Sequence, residues 1–200
     1  MERSARKSEI LKILLKDFTT KHTITSLAEE IKMSRVGTWK NLKKLQAEKL
    51  IVLSPIGKGK TSTDEVKLNW ENVLTAKTLA IYLTEDALKN RRWLSVFSEL
   101  EKEVDFLIIY GSAITFSKEA NDIDIIGVVS NKKRFKEIEE IVMKIQKTQL
   151  KKIHALNFTP TEFKEELIKN RAFIDAVKKG VVLFGQEEFI KSMRNLEKWE

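Results

Sequence analysis

Apolar residues recur at helical spacing three times within the first fifty positions. Ile10, Leu11, Leu14, Leu15 and Phe18 mark one helix in Ser8–Phe18. Leu27, Ala28 and Ile31 mark a shorter one over 26–32. A third follows the turn at Met33-Ser34 and runs to about Lys49, with Ser34 as its N-cap and Thr38, Leu42 and Leu45 inward. The pattern then changes. Ile51–Leu53 and Glu65–Trp70 predict two strands joined by the polar loop Gly57–Thr63. Three helices and a hairpin predict an N-terminal domain over residues 1–70.

Residues 71–104 read as a helical connector. Val73, Leu74, Ala76, Leu79, Ala80 and Leu83 form one stripe, and Thr84 is the expected cap of a second helix containing Leu88, Trp93, Leu94, Phe97, Leu100 and Val104. From 105 to 200 strands and helices alternate. Strand 106–110 leads into a Gly-Ser turn and a short helix, followed by strand 123–129, helix 132–149 and strand 151–158. A single helix is expected over 160–179, opened by Thr159-Pro160-Thr161-Glu162 and ended by Gly180. Strand 181–184 and a terminal helix close the chain. The fold class expected is α/β (α+β), with a small mixed sheet in the C-terminal domain.

Composition narrows the picture. The 200 residues contain no cysteine, which excludes disulfides and thiolate metal sites, and only two histidines, His22 and His154. No apolar run approaches a membrane span, and MERSARKSEI lacks an apolar signal core, so no membrane is expected and the expected location is cytoplasmic. The net charge of +8 is uneven. Residues 1–70 hold 15 Lys/Arg against 8 Asp/Glu, a net of +7, whereas residues 71–200 hold 22 against 21. The basic excess sits in the first third, as expected if that third meets nucleic acid.

The chemistry concentrates in FLIIYGSAITFSKEANDIDIIGVV, residues 106–129. Asp122 and Asp124, two apart on a strand, point to one face of the sheet, where they repel unless a cation lies between them. Gly111-Ser112 ends the preceding strand, where free backbone N–H groups and a hydroxyl suit phosphate oxygens. Paired acids and a phosphate-binding turn are what Mg²⁺-dependent phosphoryl transfer requires. Gly111-Ser112, nine residues, then Asp122-x-Asp124 resembles the signature of the DNA polymerase β-type nucleotidyltransferases, especially the minimal nucleotidyltransferase group. The resemblance covers roughly residues 90–185. It implies that Gly111 and Ser112 bind a nucleoside triphosphate, ATP first among them, and that Asp122 and Asp124 are catalytic and hold Mg²⁺. It further implies a third carboxylate from a later strand. The strand concerned, from Lys151 to Phe158, carries His154 and Asn157 but no acid. Glu162, Glu165 and Glu166 follow nearby, where capping and solvation are their expected roles.

Residues 24–53 resemble the helix-turn-helix of winged-helix transcription regulators, through Leu27-Ala28, Ser34, Leu42, Leu45 and Leu50-Ile51. Lys49 stands where many relatives have a helix-ending glycine. The resemblance implies that Ser34, Arg35, Val36, Trp39, Lys40 and Lys43 face duplex DNA. Arg35 and Lys40 would meet bases or phosphates and Trp39 thymine methyls or sugar, while Lys58 and Lys60 in the wing meet phosphates. Gly59-Lys60-Thr61 mimics the end of a P-loop, but the required first glycine position is Ser54 and no helix follows. Three functions stay open at this point. One is a DNA-binding nucleotidyltransferase acting on an unnamed acceptor. Another is a regulator whose degenerate α/β domain senses nucleotide or dimerises. The last is an antitoxin-like protein with a polypeptide partner.

Overall fold

The computed structural model describes residues 2–56, 63–115 and 121–197, with side chains within 6–56, 63–114 and 121–196. The chain divides into two compact units, Met1–Tyr82 with Glu197–Glu200, and Leu83–Leu196.

The first unit holds α1 (Glu2–Lys16), α2 (Ile24–Glu30), α3 (Arg35–Ala47) and an antiparallel hairpin of β1 (Ile51–Ile56) and β2 (Thr63–Leu68). Helix α1 starts six residues earlier than its apolar stripe announces, because its first turns are polar and carry no hydrophobic signal. Thr23 and Ser26 form a reciprocal capping box at the start of α2, and Ser34 caps α3 by accepting from the Gly37 N–H. Ile10, Leu11, Leu27, Ile31, Leu42 and Leu45 interlock as the buried centre. Strand β1 runs past Leu53 to Ile56 because its partner keeps pairing, from Ile51 opposite Leu68 to Ile56 opposite Thr63. Strand β2 stops at Leu68, two residues short of the expected Trp70, because the chain turns just after it, the Asn72 N–H bonding to the Asn69 carbonyl at 3.2 Å.

Helix α4 (Val73–Lys89) corrects the expectation of a cap at Thr84. Thr75, Leu79, Leu83 and Ala87 are buried at four-residue spacing, and this continuous buried face carries the helix through Thr84. The break comes at Asn90, whose side chain donates back to the Asp86 carbonyl, and α5 (Arg91–Val96) follows.

The second unit is built on a four-stranded mixed sheet of order β5-β4-β3-β6. Its strands are β3 (Phe106–Tyr110), β4 (Asp122–Val128), β5 (Lys152–Phe158) and β6 (Val181–Phe184). Strand β3 is antiparallel to β4 and β6, while β4 and β5 are parallel and linked by α7 (Phe135–Gln146). A short α6 (Ser112–Thr115) follows β3, and α10 (Gln186–Glu197) closes the chain. The single helix expected over 160–179 is two, α8 (Pro160–Lys169) and α9 (Arg171–Lys179). Asn170 is extended and its side chain accepts from the Phe173 N–H at 3.2 Å, starting a new helix. Phe163 and Leu167 face inward from α8, and Phe173 and Val177 from α9. The six-residue step from Leu167 to Phe173 breaks helical periodicity, so one helix cannot bury both pairs.

The two faces of this sheet differ. Leu107, Ile109, Ile123, Ile125, Ile153 and Leu183 share a core with Trp93, Phe97, Leu100, Ile138 and Ile145. On the opposite face, Phe106 meets Phe163 and Phe189 edge-on at centroid distances of 5.2 and 5.5 Å, and Phe158 meets Phe173 at 5.3 Å. That second face is apolar at one end of the strands and polar at the other.

Candidate functional site

The polar end is assembled by register. On β4, Asp122, Asp124, Ile126 and Val128 alternate onto one face, and Ile123 and Ile125 point into the core behind. Tyr110 of β3 stands opposite Asp124, and His154 of β5 stands opposite Asp124 on its other side. The three side chains therefore form a row across the sheet, with His154 Nδ1 3.5 Å from an Asp124 carboxylate oxygen. Lys152 stands opposite Asp122. Burial, and secondly the Asp124 charge, push the Tyr110 phenol above its ordinary pKa and keep it protonated.

Gly111 brings the turn against this row. Its φ is +75°, and a Cβ placed there would lie 2.8 Å from Asp124 Oδ2. Only glycine combines that left-handed conformation with that close approach. Ser112 is exposed one residue on, and Ala113 anchors the turn in the core. Sequence and topology thus bring Gly111, Ser112, Asp122 and Asp124 to one end of the sheet.

The strand expected to supply a third acid has none on this face. Lys152, His154 and Leu156 share it, while Asn157 points the other way, its Oδ1 2.9 Å from where a Gly127 Cβ would stand. The glutamates of α8 have other partners. Glu162 completes the Thr159 capping box and accepts from Lys132 Nζ at 2.6 Å, contacts that lower its pKa to about 2. Glu165 accepts from Lys169, and Glu166 from Asn170.

Among the described residues no group of three His, Cys, Asp or Glu side chains converges to hold a metal ion. Two carboxylates at an open strand end fit one Mg²⁺ that takes its remaining ligands from water and phosphate. They do not fit a second metal held by protein alone. Tyr110 and His154 are the members of the row whose placement sequence spacing did not reveal.

In the first unit, α3 turns Arg35, Val36, Lys40 and Lys43 outward and leaves Trp39 half-buried, while Thr38, Leu42 and Leu45 are buried. Lys43 Nζ lies 4.3 Å from the centre of the Trp39 ring and donates to Gln46. Ser34 is committed as cap. Lys58 and Lys60 lie outside the described residues.

The model of the polymerase beta nucleotidyltransferase family matches residues 92–188, and the C-terminal region is accordingly a nucleotidyltransferase-like domain. No curated protein matches the chain. Solved structures of Lactococcus lactis ZitR align in part. One mutant is 19% identical over 72% of this chain and 73% of that chain, at a TM-score of 0.33. A second, in apo form, is 18% identical over 74% and 83%, at 0.34. Such scores fall short of a shared fold. No helix among the described residues is long and apolar enough to cross a membrane.

Proposed function

We propose that this protein binds duplex DNA through its first unit and a nucleoside triphosphate with Mg²⁺ through its second, transferring a nucleotidyl group to an acceptor. The observation that carries the nucleotide reading is the approach of the Gly111 backbone to Asp124, at the end of the strand pair where Asp122 and Asp124 share a face. Gly111 and Ser112 would hold phosphate oxygens, and Asp122 and Asp124 would hold the ion. An ion held by Asp122 and Asp124 would neutralise charge on the phosphates and polarise the bond to be broken. Tyr110 stands beside Asp124 across the strand pair and would orient that carboxylate. The Phe106, Phe163 and Phe189 cluster excludes water from the lower half of the same face.

Calorimetric titration of ATP with Mg²⁺, beside Asp122→Asn/Asp124→Asn protein, tests this. Binding to the unaltered chain and none to the variant is expected. Equal heats from both would overturn the reading. A second reading is favoured by the strand β5 face, which offers Lys152 and His154 where an acid was expected. On that reading the domain is a nucleotide sensor of a regulator and releases no pyrophosphate. Pyrophosphate release that requires Mg²⁺ and Asp124 excludes it.

For the first unit we read three helices and a hairpin as a winged helix-turn-helix, with α3 in the major groove. Its support is the exposed basic face of Arg35, Lys40 and Lys43 and the charge excess of residues 1–70.

A further inference from the structure

A cavity of about 110 Å³ opens within the first unit, between the end of α1, the segment leading to α2, and strand β2. Its apolar wall is Leu14, Phe18, Val66 and Leu68. Its polar side is His22, Glu65 and Lys67, with Asp17 and Thr20 beside them. All of these residues belong to the one compact unit.

His22 is the unusual member. It is 3% exposed, and its backbone carbonyl accepts from the Val66 N–H at 2.8 Å. Its Nε2 lies 3.0 Å from the Asp17 carbonyl oxygen, which makes that nitrogen the donor. The neutral ring then presents Nδ1 as an acceptor, and Nδ1 is buried with no hydrogen-bond partner among the described residues. Leaving such an atom unpaired costs free energy, so a donor placed there is favoured. Glu65 indicates the kind of donor. Its side chain is 13% exposed, and Nζ of Lys67, whose side chain is 44% exposed, lies 3.3 Å from its Oε2. An ammonium group therefore already stands at the cavity wall, and the more exposed lysine can swing away while the buried carboxylate stays. Two carboxylates against one lysine leave the lining net negative, and the C-terminal end of α1 adds to that potential.

We infer that this cavity binds a small organic ammonium ion. Its N–H groups reach the Glu65 carboxylate and His22 Nδ1, taking the place of the Lys67 ammonium, and its short alkyl tail lies on the apolar wall. At about 30 Å³ for each, as in liquid water, the cavity has room for roughly four non-hydrogen atoms, the size of propylammonium. An anion would meet the two carboxylates, and a neutral molecule would not replace the charge of Lys67. No three His, Asp or Glu side chains converge among the described residues, which favours an organic cation over a bare metal ion. This inference is independent of the nucleotide and DNA readings.

Calorimetric titration of the full chain with propylammonium, beside propanol and propionate, provides the test, with circular dichroism confirming that each variant folds. Propylammonium is expected to bind, and the neutral and anionic analogues to bind at least roughly tenfold more weakly. Glu65→Gln keeps the shape of the side chain and removes its charge, and is expected to weaken propylammonium binding roughly tenfold. Lys67→Met removes the competing ammonium and is expected to tighten it. Misfolding cannot produce these opposite signs. The chain has only two histidines, His22 and His154, so their ring resonances locate the site. Those of His22 are expected to move during the titration and those of His154 to stay. No binding of propylammonium, equal binding of propanol, or an affinity unchanged in Glu65→Gln would overturn the inference. So would an affinity that fails to rise in Lys67→Met, or resonance shifts confined to His154.

Discussion

The α3 face and the Asp122–Asp124 end of the sheet are both charged, but they are made differently. On α3 the charged side chains extend from a helix into solvent, and their sign follows from composition alone. If Arg35 and Lys40 meet phosphates singly, the loss of one subtracts one contact. On the sheet, Asp124 lies between Tyr110 and His154 through strand register, and the turn at Gly111 brings backbone close against it. There the groups act as a unit, and disturbing one disturbs the others. Additive loss on α3 and collective loss on the sheet are therefore the expected signatures of the two regions.

The largest effect is expected at Gly111. Gly111→Ala adds a methyl group against Asp124 Oδ2 at a φ of +75°. The conformation alone costs about 1–2 kcal/mol, and the clash displaces the carboxylate as well. The backbone strain lowers folding stability, whereas the displaced carboxylate should lower nucleotide affinity, by roughly tenfold or about 1.4 kcal/mol. Duplex DNA binding by the same protein should be unchanged. Calorimetry and a mobility assay on one preparation check both, and affinity for nucleotide at the unaltered level would break the collective picture.

The converse variant is Arg35→Ala/Lys40→Ala. If both side chains contact phosphates, the logarithmic salt dependence of DNA binding should flatten by about 2, one for each lost contact. Each single variant should give half of that. Nucleotide titrations should be unaltered. A single variant that removes the whole salt dependence would show that α3 is as cooperative as the sheet.

The start of α8 combines both kinds of interaction at the surface. Thr159→Ala removes a cap worth about 1 kcal/mol, measurable by urea unfolding. Glu162 in the same box is held near pKa 2 by its bond from Lys132 and then by Thr159. A carboxylate depressed in the folded state contributes stability above its unfolded pKa of 4.5 and loses it as pH falls toward about 2. Unfolding midpoints of the wild-type chain should therefore drop between those values, and the Glu162→Gln chain should show less of that drop. Identical pH profiles would remove the box from the account.

How much of this was legible in the sequence follows from the range of the interactions. The helices and hairpin of the first unit and the strands of the second rest on spacing within a few residues, which periodicity records, while the mixed sheet and the Gly-Ser and Asp-x-Asp stations followed from the family resemblance. The Tyr110–Asp124–His154 row rests on neither, because it depends on which strands neighbour one another and on their offset. For the same reason Asn157 and His154 were indistinguishable until the face each occupies was known. The break at Asn170 and the continuity of α4 through Thr84 were misjudged from single residues. Burial on both sides of each position decided them instead. Threonine is a good cap only where the preceding turn lacks a buried face.

Lys49 gives the smallest effect and the finest comparison. It follows α3 with a φ of +55°, the left-handed region that Gly111 also occupies. The conformation is imposed by the helix end. The Leu50 N–H bonds back to the Leu45 carbonyl at 2.9 Å, and the Asn69 and Asn72 side chains both donate to the Lys49 carbonyl. The Lys49 side chain is exposed, so a residue there suffers the backbone strain alone, without the clash that a side chain at Gly111 would meet. Lys49→Gly relieves about 1–2 kcal/mol of strain and gives back about 0.5–1 kcal/mol in unfolded-chain entropy. The expected result is a net gain of about 0.5–1 kcal/mol in urea unfolding. The same backbone conformation is then expected to carry opposite consequences in the two regions: a glycine added at 49 should stabilise, and a glycine removed at 111 should weaken nucleotide binding. A loss of stability in Lys49→Gly would mean that the lysine side chain holds this turn.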